Sequence, residues 1–136
     1  MTRYLVVANQ TLGAEPLLER VRACAREGNC RFHLVVPATH PKGVWTEGKV
    51  RAEAQERLDE ALARFREIGV PVDGEVGDTS PVLAVKDAML AHTFDAIIVS
   101  TLAPGISRWL KQDLPHRLER ISGLPVIHVT EALQNA

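Results

Sequence analysis

The stretch Asp95-Ala96-Ile97-Ile98-Val99-Ser100 decides the fold class that this sequence predicts. Its centre is apolar and largely β-branched, and a polar side chain bounds it on either side, which is typical of a short buried strand. The polar loop 100–107 and a helical stretch at 115–122 follow, and Gly123-Leu124-Pro125 then leads into a second apolar run at 126–129. A strand, a helix and another strand in this order predict a βαβ crossover.

The same alternation extends toward the N-terminus. Apolar runs at 4–8, 32–36 and 70–76 predict three further strands, and apolar residues at helical spacing separate them, most clearly over 50–68. Pro71 lacks the N–H that a sheet ladder needs, so the strand that contains it should lie at an edge. We therefore expect residues 1–136 to form one doubly wound α/β domain. Its five-stranded, mostly parallel sheet should have the order 3-2-1-4-5 and carry helices on both faces.

Composition and charge exclude several classes of function. The formal net charge is −1 at pH 7, which gives no clustered basic face for DNA or RNA. The first apolar run is too short for the core of a signal peptide and far too short to span a bilayer. We therefore expect a cytoplasmic protein with neither a nucleic acid nor a membrane as its partner.

Candidate ligand-binding residues follow from the topology. Open parallel sheets bind ligands outside the carboxyl ends of their strands, at the point where the strand order switches. The residues at the predicted strand ends are Asn9, Thr11, Val36, Ser100, Thr101, Ala103, Gly105, Ser107 and Arg108. Hydroxyls, backbone amides and Arg108 in the segment 100–108 could receive an anion. The alternative is that these residues are only the polar turns that every α/β protein needs.

No catalytic or metal-binding motif accompanies these residues. The five histidines show no ligand spacing such as HExxH, and Ser80 lacks the GxSxG elbow of a nucleophile. Cys24 and Cys30 are the only cysteines, and in the absence of a CxxC motif they are interpreted as ordinary thiols. We expect no catalytic residue, no metal and no enzyme activity.

Several of these features resemble the universal stress protein family. The strand at 95–100, the loop and helix after it, and the last strand at 123–129 are similar to the C-terminal half of that family. There an Asp-led apolar strand runs into a glycine-rich loop, and a Cys-Pro-Val type turn starts the last strand. Gly77-Asp78 resembles the family's Gly-Asp-Pro start of a helix. The similarity in element order and length covers essentially the whole chain.

The family's ATP-binding motif is altered in this sequence. ATP-binding members carry G-x2-G-x9-G-[ST], and the matching places here are Ser100, Ala103, Asp113 and Leu114. None is glycine, the hydroxyl place is leucine, and only Gly105 remains nearby. The family's aspartate after strand one is Asn9. Asp113 is either a carboxylate close to the phosphates, which would repel them, or a helix cap ahead of Pro115. The resemblance therefore implies no cofactor, with ATP or AMP disfavoured.

Three functional hypotheses follow from the resemblance and the candidate residues. The first is a non-catalytic stress-response or regulatory protein that does not bind ATP in the usual way. The second is a protein that binds AMP, ATP or another small anion through the loop 100–108. The third is a nucleotide hydrolase, for which no nucleophile is recognisable. In the family the last strand pairs across a dimer, so the resemblance implies a homodimer with Val126, Ile127 and Val129 at its interface.

Overall fold

A computed structural model describes residues 1–39, 46–103 and 107–131 of the chain. The strands are β1 (Thr2–Val7), β2 (Cys30–Pro37), β3 (Val72–Gly77), β4 (Ala96–Thr101) and β5 (Val126–Thr130). The helices are α1 (Glu15–Glu27), α2 (Glu47–Ile68), α3 (Pro81–Ala91), α4 (Arg108–Lys111) and α5 (Leu114–Ser122). The predicted loop residues His40 and Trp45 lie outside the described residues.

The sheet confirms the predicted fold class. Its five strands are all parallel and follow the order β3-β2-β1-β4-β5. The strand order reverses between β1 and β4, because β1 pairs with β2 on one side and with β4 on the other. β3, which follows Pro71, is an edge strand as predicted, and β5 is the opposite edge.

Alternate residues of the central strands enter two separate cores, one on each face of the sheet. On one face, Val6, Phe32 and Ile98 pack against buried side chains of α1 and α2. On the other face, residues of the same strands pack against Val85 of α3 and Leu118 of α5. A parallel sheet buried on both faces explains why its central strands are apolar runs and not alternating patterns.

Three details differ from the sequence prediction. Ser100 and Thr101 belong to β4 and not to the loop, because their backbones pair with Val129 and Thr130 of β5. A short helix, α4, begins after Ser107 within the region that was predicted as connection. Ile121, an apolar residue of the helical stretch predicted at 115–122, is 39% exposed and not buried, because α5 is only nine residues long and packs mainly through Leu114 and Leu118.

The edge strand β3 comes very close to the helix that follows it. A Cβ atom at Gly77 would lie 2.7 Å from the Cβ of Ala84, so only glycine allows β3 to pack at this distance from α3. Ser80 caps α3 by accepting a hydrogen bond from the Leu83 amide over 3.4 Å. These contacts set the position of the turn between β3 and α3.

None of the described helices is both long and apolar enough to cross a membrane.

Candidate functional site

A cleft of about 530 Å³ opens at the carboxyl ends of β1 and β4, where the strand order reverses. This is the place where open parallel sheets bind their ligands. The cleft brings together six of the predicted site residues, namely Asn9, Thr11, Ser100, Thr101, Ser107 and Arg108. They belong to two segments that lie about ninety residues apart in the sequence, and the parallel pairing of β1 with β4 brings these segments together.

The other predicted site residues occupy different positions. Val36 is fully buried in the core on the α1 and α2 face, and it does not line the cleft because its side chain points into the sheet–helix interface. Ala103 is also buried, 5% exposed, and is not a lining residue. Gly105 lies outside the described residues.

Sequence reasoning missed the contribution of the helices to the cleft. Glu53 and Arg57 of α2 line one wall, and Trp109 and Gln112 line another. The i,i+4 spacing of Glu53 and Arg57 is typical of an ion pair on the solvent side of a helix. In the structure Arg57 instead donates a hydrogen bond to Asn9 Oδ1. No sequence signal marks this contact, because it depends on the packing of α2 over the end of β1.

Asn9 connects three elements at the end of β1. Its Nδ2 donates to the Pro37 carbonyl oxygen over 2.7 Å and to Thr39 Oγ1 over 3.0 Å, while its Oδ1 accepts from Arg57. Both amide hydrogens and one side of the carbonyl are therefore used. Because Asn9 is only 7% exposed, these hydrogen bonds replace the ones that its amide would form with water in the unfolded chain. The Asn9 side chain holds the floor of the cleft together.

Two hydroxyls also join β1 to β4. Thr11 Oγ1 and Ser100 Oγ lie 2.6 Å apart, and each residue is 2% exposed. This hydrogen bond closes the bottom of the cleft between the two strands at the switch point. Every buried side-chain polar atom in the described part of the chain has a hydrogen-bond partner. The floor is thus polar but internally satisfied, and the groups that reach into the open cleft come from its walls.

Thr101 forms a pair with a histidine at the neighbouring strand. Thr101 Oγ1 donates to the Leu102 carbonyl oxygen over 2.9 Å and lies 2.8 Å from His128 Nε2. When the hydroxyl gives its hydrogen to Leu102, a ring that carries its proton on Nε2 donates to Thr101. Desolvation lowers the pKa of His128 below its ordinary value, which favours the neutral ring at pH 7. The contact between Thr101 and His128 joins β5 to β4.

The wall formed by α4 is cationic. Ser107 Oγ accepts a hydrogen bond from the Leu110 amide over 3.2 Å and thereby caps α4. Arg108 follows this cap, is exposed and lines the cleft, as Arg57 of α2 does. Two guanidinium groups on separate walls are suited to hold an anion between them.

We compared the sequence and the fold with those of known proteins. The sequence matches no protein-family model and no curated protein. The fold matches a universal stress protein family structure from Burkholderia pseudomallei at 17% identity, covering 96% of this chain and 96% of that chain with a TM-score of 0.69. A universal stress protein from Archaeoglobus fulgidus in complex with dAMP matches at 20% identity, 95% and 97% coverage and a TM-score of 0.67. A universal stress protein family protein from Arabidopsis thaliana with AMP bound matches at 12% identity, 97% and 93% coverage and a TM-score of 0.63.

The chain has the universal stress protein fold. Its strand order and its helices on both faces agree with the architecture that the sequence resemblance implied.

Asp113 and Leu114, which the sequence resemblance aligns with the last two places of the glycine motif, have different surroundings from each other. Asp113 has φ 56° and ψ 42°, a left-handed backbone that favours glycine. Its carboxylate accepts from or pairs with His116 Nδ1 at 2.8 Å and is not among the groups that line the cleft. The expected repulsion between Asp113 and a phosphate is therefore not supported by its position. Leu114 is 1% exposed and belongs to the core.

Proposed function

We propose that this protein is a non-catalytic regulatory or stress-response protein of the universal stress class that does not hold ATP in the usual way. The observation that carries the proposal is the cleft at the switch point between β1 and β4, whose floor residues bond to one another. A floor that is internally satisfied serves to shape a binding surface and offers no free nucleophile.

The protonation pattern of the cleft supports a non-catalytic role. An activated hydroxyl needs a neighbouring base that accepts its proton. The Thr101 hydroxyl can donate to the Leu102 carbonyl, and Ser107 Oγ and Ser80 Oγ each accept from a backbone amide as helix caps. The hydroxyls that line the described part of the cleft thus act as structural groups.

The side chains at the motif places argue against a triphosphate. Glycines in a phosphate loop leave backbone amides bare, so that phosphate oxygens can approach them. Here Ser100 bonds to Thr11, Ala103 is buried, and Leu114 supplies no hydroxyl. The loss of about 4 kcal/mol of binding free energy turns a micromolar site into a millimolar one.

Isothermal titration calorimetry tests this part of the proposal. We expect no ATP binding tighter than roughly 1 mM and no release of phosphate from ATP. Low-micromolar binding of ATP to the unmodified protein would overturn the proposal, because it requires a working phosphate loop at a different spacing. Turnover of ATP would overturn the non-catalytic assignment.

A second candidate function is the binding of a nucleoside monophosphate in the same cleft. The two guanidinium groups on its walls favour it, and a volume of about 530 Å³ suits a small-molecule ligand. Solved structures of the same fold hold dAMP, AMP or cAMP. A monophosphate needs fewer contacts with backbone amides than a triphosphate does. The altered motif therefore lowers the affinity for a monophosphate less than the affinity for a triphosphate.

The variant Arg108→Ala separates this candidate from the first. If Arg108 pairs with the phosphate, its removal should weaken AMP binding by about 10- to 100-fold, as expected for a charged hydrogen bond of about 1.5–3 kcal/mol. Arg20→Ala, an exposed arginine of α1 that does not line the cleft, is the matched control. An AMP affinity that is the same in both variants would exclude Arg108 as the phosphate partner.

We further propose that the protein is a cytoplasmic homodimer that pairs through β5. β5 is an edge strand, and an edge presents unpaired backbone groups that need a partner or cover. Val126, Ile127 and Val129 are half-buried in the single chain, where they pack against the two cores. The free thiols of Cys24 and Cys30 agree with a reducing compartment.

A further inference from the structure

A cluster of two histidines and two carboxylates lies outside the cleft. His33 of β2 stands beside Asp73 and Glu75 of β3, and His92 ends α3 on the same side of the sheet. None of these four residues lines the cleft. In the sequence they are spread over sixty residues, which is why the histidine spacing alone indicated no metal site.

We propose that this cluster binds a divalent transition-metal ion of the zinc type through His33, Glu75 and His92. One ligand atom from each of these three residues lies within 4.8 Å of the other two. In a tetrahedral zinc site, with metal–ligand bonds of about 2.0–2.1 Å, the ligand atoms lie roughly 3.4 Å apart. The three ligand atoms therefore need to approach one another only slightly to bind an ion. His92 is exposed and the Glu75 side chain is 40% exposed, so both can move toward the ion.

The orientation of His33 favours a metal. Its Nδ1 lies 2.8 Å from Asp73 Oδ1, which leaves Nε2 directed at Glu75 Oε2, 3.0 Å away. A carboxylate that accepts from one ring nitrogen and thereby fixes the other toward a metal is the usual support of zinc-bound histidines. Asp73 is thus the positioning residue, and His33 Nε2 is the ligand atom.

Burial and charge agree with this assignment. His33 is 7% exposed, and Phe94, which is 8% exposed, packs 5.8 Å from its ring and 6.1 Å from the ring of His92. The His33 and His92 rings themselves are 4.6 Å apart. Two carboxylates face the cluster, so a divalent cation balances their charge. Two imidazoles and one carboxylate form a donor set that suits zinc and disfavours Mg²⁺ or Ca²⁺.

Three protein ligands leave a fourth position of a tetrahedral ion for water. This coordination is compatible with a site at the protein surface, where His92 and Glu75 reach solvent. The ion would connect β2, the edge strand β3 and the end of α3. We therefore expect it to raise the thermal stability of the folded chain as any ligand of the native state does.

The test uses the full chain without a histidine tag, freed of metal by a chelator. Zinc titration by calorimetry should give one bound ion per chain, and Co²⁺ should produce the visible absorption of a tetrahedral site. His92→Ala should weaken zinc binding by more than the roughly 10–100-fold that is typical for the loss of a supporting residue. Asp73→Asn should fall within that range. His116→Ala is the matched control, since His116 is an exposed histidine that pairs with a single carboxylate, Asp113.

Each outcome decides the proposal. Equal zinc affinity in His92→Ala and in the unmodified protein overturns it, and so does a thermal shift with Mg²⁺ as large as that with Zn²⁺. A protein that binds no zinc at up to about 1 mM would overturn the proposal and leave His33 as a hydrogen-bonding bridge between its two carboxylates. His92 lies on the surface, so its replacement leaves the fold intact and the result interpretable.

Discussion

Arg57 of α2 donates a hydrogen bond to Oδ1 of Asn9, and this contact ties the longest helix to the carboxyl end of β1. The same Asn9 amide donates to the carbonyl of Pro37, so β1, β2 and α2 meet at one side chain. The floor of the cleft therefore depends on an amide, which can donate and accept at the same time.

Replacement of Asn9 by aspartate tests this arrangement. Asn9→Asp places a carboxylate oxygen 2.7 Å from the Pro37 carbonyl oxygen, where the amide hydrogen had been. We expect a loss of about 1–3 kcal/mol in the free energy of unfolding, since a buried carbonyl loses its donor. Urea denaturation at neutral pH measures it. Gln10→Glu, the same chemical change at the exposed next residue, should stay within about 0.5 kcal/mol. A gain in stability for Asn9→Asp would show that an ion pair with Arg57 outweighs the lost donor.

The long helix gives a graded test of burial. Leu58 is 2% exposed, whereas Leu62, which lies at helical spacing on the same apolar stripe, is only half-buried. Leu58→Ala should cost about 2–5 kcal/mol and Leu62→Ala clearly less. Arg64→Ala on the exposed side should change the stability by less than about 0.5 kcal/mol. Equal losses for the two leucines in urea denaturation would mean that the orientation of α2 is wrong.

The proposed dimer makes a prediction about β5. Val129→Lys places a charge on the last strand, and sedimentation should then show monomers where the unmodified protein forms dimers. Leu90→Lys is the control, because Leu90 is 87% exposed on α3, away from β5. Circular dichroism must show that both variants are folded. A dimer mass that Val129→Lys leaves unchanged would count against this interface.

Tyr4 offers a spectroscopic test of the core at the start of the sheet. Burial, followed by a hydrogen bond with Cys24, raises the pKa of Tyr4 to about 12. Because Tyr4 is the only tyrosine in the chain, the ultraviolet absorbance of phenolate reports it alone. The native protein should titrate near that value and the unfolded chain near 10. Since the folded pKa is the higher one, the stability that Tyr4 contributes is complete below pH 10 and is lost as the pH rises toward 12. A native midpoint near 10 would contradict the burial of the phenol.

His128 predicts a dependence of stability on acid pH. Burial lowers its pKa below the ordinary 6.5, so the unfolded chain binds the proton more readily. Its contribution is therefore complete above pH 6.5 and declines as the pH falls through 6.5 toward the lower folded value. Denaturation at about pH 7.5 and about pH 5.5 should show a smaller pH effect in His128→Gln than in the unmodified protein. His116→Gln, at an exposed position, should retain the full effect. Identical pH effects in all three proteins would exclude His128 as the cause.

The architecture follows from local patterns along the chain. Short β-branched runs such as 96–99, bounded by polar residues, favour buried strands, and the helical stretches between them are long enough for parallel crossovers. Pro71 predicted which strand lies at an edge, because the lack of a backbone N–H is a local property of the residue. Most of the cleft floor was also predictable, since the ends of parallel strands gather at one edge of the sheet.

The roles of the side chains in the cleft depend on how distant segments pack. Arg57 reaches Asn9 because α2 packs over the end of β1, and no spacing in the sequence records that crossing. Val36 turned into the core because the side chains of a strand alternate between its two faces, and the register decides which face each one takes. The rings of His33 and His92 lie close together because α3 runs back beside β2 and β3 and ends at His92. Contacts of this kind depend on the packing of distant segments, which local chemistry along the chain does not encode.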